Sequence, residues 1–281
     1  MYRGFMNQQS MGFVSCALPH LLAETGIGDD PLNFWVCYGS FVLNQQTPQS
    51  DLDLLLVHQI PSSPIRVQAR YKDHPVTIYS LPQREFMADG NQRRYGGYFS
   101  GKLLNPFVVL SGSQESSNIS NKVMGGFIGE FAATIAKEHG RKIGNRSNIV
   151  ADCVLAYLRL CPHYKAYFLR YYISQNFEAI WQHMKIVIPE ALVQAAIMKK
   201  ISENKFEYLS VLSPEEFHLQ LMTSVARFWS FGSCCHGCNA NFPDFYFQKA
   251  IGYIESAGLE ERCLEMLIFL EQKAEDKDET Q

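Results

Sequence analysis

Two carboxylates, Asp51 and Asp53, stand two residues apart, and ten residues separate Asp51 from the Gly39-Ser40 pair. These residue types suit phosphoryl transfer from a nucleoside triphosphate. That chemistry needs donors for the phosphates, hard oxygen ligands for Mg²⁺, and a hydroxyl placed in line with the α-phosphorus. A glycine at a strand end lets the backbone approach a phosphate, and a serine hydroxyl adds a donor. Asp-x-Asp on a strand puts both carboxylates on one face, about 7 Å apart along the backbone. Such a pair leaves most of the coordination sphere of Mg²⁺ to phosphate and water. Each half is common alone, and a strand–loop–strand with an accidental acidic pair would contain the same residues.

The elements around them fit the first reading. Residues 19–25 read as the end of a helix, closed by the glycines of GIGDDP. Residues 33–38 (NFWVCY) and 52–57 (LDLLLV) read as strands, the second apolar enough to be covered on both faces. Residues 66–71 and 75–81 alternate around Lys72-Asp73-His74 as a hairpin. After Ser111 the period becomes helical, over 121–138, 149–160, 163–174, 190–202, 213–231, 245–256 and 259–271. Ser213-Pro214-Glu215-Glu216 is a capping signature. The expected class is therefore α+β, with a mixed-sheet domain over residues 1–115, an all-helical domain over 116–272 and a disordered tail over 273–281.

The Gly-Ser, the gap and the Asp-x-Asp, set among these elements, resemble the polymerase-β nucleotidyltransferase superfamily over about residues 19–110. The resemblance implies that Gly39 and Ser40 hold the β- and γ-phosphates, and that Asp51 and Asp53 are catalytic and bind Mg²⁺. It also implies a nucleoside triphosphate substrate, with ATP expected. The family places a third carboxylate on a later strand, where this chain has Thr77. Threonine is neither a charged ligand nor a base near neutral pH. Glu85 and Asp89 are the acids further along that remain to compensate.

Other signals set the partners. A formal charge of −3 argues against a protein built to grip a long nucleic acid. Residues 64–102 nevertheless hold seven basic side chains against three acidic ones, and Arg93, Arg94 and Lys102 lie in a glycine-rich aromatic loop suited to a nucleotide. Arg141, Lys142 and Arg146 form a smaller basic loop. Cys234-Cys235-His236-Gly237-Cys238 lacks a second ligand pair at finger spacing, so thiols are expected rather than zinc, with His218 and Cys263 as remote ligands only by speculation. The aromatic band of Tyr157, Tyr164, Tyr167, Phe168, Tyr171 and Tyr172 reads as core or interface before it reads as a base-stacking platform. No apolar run reaches membrane-spanning length and no export signal is present, so a cytoplasmic protein with eight thiols and no membrane partner is expected. The sequence points to an enzyme moving a nucleoside monophosphate to a hydroxyl, with a small-molecule acceptor favoured over protein or RNA. Thr77 supports the alternative, a non-catalytic module that binds a nucleotide or a partner.

Overall fold

The computed structural model describes residues 6–47, 50–112, 114–160, 177–236 and 260–276, with positions 248, 251–252, 255 and 258. The class is α+β. The chain divides into two compact units, Met1–Ala88 with Asn105–Ser120, and Asp89–Leu104 with Asn121–Gln281.

The first unit is a helix on a twisted sheet. Helix α1, Gln8–Thr25, starts where the Asn7 side chain accepts from the Ser10 N–H at 2.7 Å, and stops at Gly26 in the left-handed region. The strands are β1 (Phe34–Tyr38), β2 (Leu52–His58), β3 (Ile65–Tyr71), β4 (His74–Pro82) and β5 (Val108–Val109), in the order β3-β4-β2-β1-β5. Only β2 and β4 run parallel, so the sheet is mixed.

Alternation decides the faces. Trp35 and Cys37, Leu52, Leu54 and Leu56, and Val76 and Ile78 share one core with Val14, Ala17 and Leu21 of α1. Val67, Ala69 and Tyr71 pack against that core from the edge strand. Asp53, Thr77 and Gln68 therefore belong to the opposite face. Each buried leucine contributes about 1.5–3 kcal/mol, and Leu54→Ala is expected to cost about 2–5 kcal/mol.

The second unit contains the rest of two helices that begin in the first unit, α2 (Gln83–Gln92) and α3 (Gln114–Glu138). It adds α4 (Arg146–Leu160), α5 (Phe177–Gln194), α6 (Pro214–His236) and α7 (Glu260–Glu275). Helix α4 is almost wholly buried, with α5 and α7 packed on it. The capping signature of α6 is realised in both directions. Glu216 N–H donates to the Ser213 hydroxyl at 3.2 Å, and Ser213 N–H donates to Glu216 Oε2 at 2.9 Å.

Four expectations need correction. The second unit is not all-helical, because β6 (Ile143–Gly144), β7 (Met198–Lys200) and β8 (Phe206–Tyr208) form a small antiparallel sheet in the order β6-β8-β7. Such short strands leave no readable period. The helix expected over 190–202 ends instead at Gln194, after which Ala196 takes a positive φ and the chain enters β7. The tail is helical as far as Glu275, held where Asn148 donates to the carbonyl of Lys273 at 2.7 Å. The chain is also not divided by one cut at residue 115, since 89–104 belong with the helices. Gly97 explains this: a Cβ there would lie 2.0 Å from the Phe127 ring, so the loop runs directly against α3. The helix expected over 163–174, most of that over 245–256, and Tyr164, Tyr167, Phe168, Tyr171 and Tyr172 lie outside the described residues. Among the described residues no helix is long and apolar enough to cross a membrane.

Candidate functional site

Gly39 ends β1 with φ +80, a conformation in which a side chain is strained. A Cβ at this position would lie 2.8 Å from Asp53 Oδ2. Glycine is therefore required twice, for the turn and for the approach of the carboxylate. The turn that follows closes with Val42 N–H and Leu43 N–H donating to the Gly39 carbonyl at 3.2 and 3.4 Å. It buries Ser40, Phe41, Val42 and Leu43. Across the strands Tyr38 pairs with Asp53, which brings the glycine–serine turn and the acid pair to the same end of the sheet.

Asp51, just before β2, is exposed, while Asp53, on β2, is half-buried. Thr77 stands beside both. Its backbone is the register partner of Asp53 on the parallel strand β4, and its hydroxyl donates to Asp51 Oδ2 at 3.1 Å. Thr77 is 4% exposed but Asp51 is exposed, so this hydrogen bond is only partly shielded from water. Cys37 lies on the α1 face. Burial, and then the nearby charge of Asp53, pushes its thiol well above the ordinary range.

Asp51 and Asp53 are the groups at this turn that could hold a hard cation. Two carboxylates share one face, one of them seated against a glycine whose Cβ would fill its place. Among the described residues no group of three or more His, Cys, Asp or Glu is arranged to hold a metal ion. A hard cation here would take only this pair from the protein, with its remaining oxygens from phosphate and water.

The basic loop falls in the second unit. Arg93 is buried, with its guanidinium donating to Glu130 Oε2 at 3.1 Å and to Gln220 Oε1, over the Phe131 ring. Its charge is thereby matched inside that unit. Arg94 is exposed above the Tyr95 ring, and the Lys102 ammonium sits 4.7 Å from the centre of the Tyr98 ring. Of the two acids considered as replacements for the missing third carboxylate, Glu85 is buried and lies 3.4 Å from Arg84 Nε.

Asp89, the other, is fully buried and organises the loop. Its Oδ1 accepts from the N–H groups of Tyr95 and Gly97, and its Oδ2 from the N–H groups of Phe99 and Ser100 and from the Ser100 hydroxyl, at 2.9–3.0 Å. Both oxygens are engaged in holding backbone, a role the sequence reading missed. The signal was present in an acid placed before a run of glycines and aromatics.

Arg141, Lys142 and Arg146 are also paired within the second unit. Arg141 meets the buried Asp152 at 2.6 Å, Lys142 meets Glu207 at 2.8 Å, and Arg146 meets Glu190 at 3.0 Å. Tyr157 is buried, edge-on to Phe127. Cys234 is exposed, Cys235 is partly buried, and His236 Nε2 lies 2.8 Å from the Tyr98 hydroxyl. Cys238 falls outside the described residues. Comparison of the chain with protein-family models gives no match, and a search of curated proteins gives none either.

Proposed function

We propose that the first unit binds a magnesium–nucleoside triphosphate, ATP being the expected one, and transfers its nucleoside monophosphate to a hydroxyl. The observation that supports this reading is the close approach of Asp53 Oδ2 to Gly39, which brings the glycine–serine turn and the acid pair together at one end of the sheet. Gly39 and Ser40 let the triphosphate tail approach the backbone and offer it a hydroxyl donor. Asp51 and Asp53 hold the cation and fix the α-phosphate over the face they share. Bound Mg²⁺ supplies charge neutralisation for the triphosphate. The acceptor oxygen bonds to the α-phosphorus, the bond from that phosphorus to the bridging oxygen breaks, pyrophosphate leaves, and the hydroxyl proton passes to water.

One observation favours a second reading, a protein that binds the triphosphate with little turnover. Thr77 donates a hydrogen to Asp51, so the group beside the pair is a neutral donor and not a base. The test has two stages. Calorimetry with ATP, with and without Mg²⁺, is expected to show magnesium-dependent binding that Asp51→Asn with Asp53→Asn abolishes. Equal affinity in both proteins would refute nucleotide binding at this site. Pyrophosphate release in the presence of candidate acceptors then separates transfer from binding alone.

A further inference from the structure

The face that carries the acid pair does not end at Thr77. Register extends it by one more strand, since Gln68 pairs with Thr77, Arg70 with Pro75 and Arg66 with Tyr79. Val67, Ala69 and Tyr71 turn toward the α1 core, so Arg66, Gln68 and Arg70 project on the side of Asp53 and Thr77. Gln68 and Arg70 are exposed and Arg66 is half-buried. The strand and the lysine after it, residues 65–72, contain no acid.

Arg93, Arg141, Arg146 and Arg159 each meet a carboxylate. Among the described residues neither Arg66 nor Arg70 does. Arg70 Nη2 donates to the backbone carbonyl of Asp73 at 2.8 Å, which orients the side chain without matching its charge. Arg66 Nε is buried with no acceptor. Two guanidinium groups thus share a face with the acid pair and lack an anion.

Their side of the sheet is informative. The Gly39-Ser40 turn flanks Asp53 from β1, whereas β4 and then β3 flank it from the other side. A triphosphate tail on the glycine–serine turn therefore leaves the arginine flank to the other reactant. Gln68 stands two strand spacings from Asp53, roughly 10 Å, and Arg66 and Arg70 lie about 7 Å to either side of it along β3, so that their long side chains span the reach of a small hydroxyl compound with a phosphate at its far end. Guanidinium forks match phosphate oxygens in geometry and charge.

We infer that the acceptor bears a phosphate, held by Arg66 and Arg70 on the flank of the acid pair opposite the glycine–serine turn. This rests on the nucleotidyl-transfer reading above. An acceptor that is itself cationic is disfavoured by the same two charges.

The test uses the full chain, with inorganic phosphate and MgATP as separate probes followed by calorimetry. Arg66→Gln with Arg70→Gln is expected to weaken phosphate binding about tenfold and to leave MgATP affinity within about twofold. Asp51→Asn with Asp53→Asn should do the reverse, losing MgATP and keeping phosphate. Arg66→Lys with Arg70→Lys should restore part of the phosphate affinity, which a merely misfolded strand would not. Unchanged phosphate affinity in the glutamine variant would overturn the inference while leaving the nucleotide reading intact. Equal loss of MgATP and phosphate in that variant would also overturn it, placing the arginines at the triphosphate. A wild-type protein that binds phosphate but does not bind MgATP would sink the nucleotide reading, and with it the assignment of an acceptor. A short single-stranded oligoribonucleotide bound through the same arginines far more tightly than phosphate would refute a small acceptor.

Discussion

Thr77 on β4 donates its hydroxyl hydrogen to Asp51 Oδ2 at 3.1 Å while standing in register with Asp53 on β2. The threonine thus lies within reach of both acids. An aspartate in its place would put three carboxylates together. Without a cation, Thr77→Asp is expected to destabilise the first unit at pH 7 by about 1–2 kcal/mol through like-charge repulsion. Millimolar Mg²⁺ should remove that penalty. Thermal melts with and without Mg²⁺ check this, and a variant whose midpoint ignores the metal would show that no cation binds there.

Gly39→Ala forces a side chain into φ +80 and against Asp53 Oδ2. A loss of about 1–2 kcal/mol in stability is expected from the backbone alone. MgATP affinity should fall by more than that, because the carboxylate must move. Ser40→Ala removes only a neutral donor, worth about 1 kcal/mol or roughly fivefold in affinity. Urea melts and calorimetry on both variants give the comparison.

Asp89→Asn keeps size and shape but turns an amide NH₂ toward at least two of the N–H groups and hydroxyl that the carboxylate accepts from. A loss of about 2–4 kcal/mol is expected. Limited proteolysis should then cleave within residues 93–104 before any other site in the second unit. A variant as stable as wild type would mean that the carboxylate is protonated in the native state.

Asp152 gives a pH signature. Burial pushes its carboxyl from 3.8 up to about 6, against the opposing pull of Arg141. The folded state therefore holds the proton more tightly than the unfolded chain. That stabilisation is complete below about pH 4 and is lost as pH rises through about 6, up to ~3 kcal/mol in size. Asp152→Asn cannot titrate. The stability of wild type minus that of the variant should fall between pH 4 and pH 7, as read from urea midpoints at each pH.

The first unit was the more legible in sequence because its strands obey simple rules. LDLLLV is apolar but for Asp53 and is covered on both faces, and in the hairpin around Lys72-Asp73-His74 the second strand is likewise buried on both faces while the edge strand is only partly covered. The position of Thr77 followed from counting along that hairpin. Elsewhere, local patterns competed with tertiary contacts. Residues 198–200 and 206–208 are too short for a period, and their neighbours Ala191 to Ala196 extended the helical pattern falsely toward them. The loop holding Arg93 and Lys102 read as a nucleotide-binding loop because glycines, aromatic rings and charges dominate it. The acid just before the loop was the local sign that Asp89 fixes its backbone, whereas nothing local reveals that Glu130 matches Arg93. The arginines of β3 were visible as charge, but their face was set only by register.

The path of the chain between the two units has a consequence for biosynthesis. The chain leaves the first unit after Ala88, returns at Asn105, and leaves again after Ser120. Residues 89–104 therefore emerge from the ribosome long before the helix that covers them. Tyr98 packs against Phe228 and Phe231 and bonds to His236, 138 residues further on. At cellular elongation rates that gap lasts on the order of ten seconds. Throughout it Tyr95, Tyr98 and Phe99 lack their aromatic partners on α6, and β5 joins β1 only after this segment has passed. Neither unit can be completed from one uninterrupted stretch of nascent chain, so the aromatic rings of this segment wait uncovered until synthesis has passed α6.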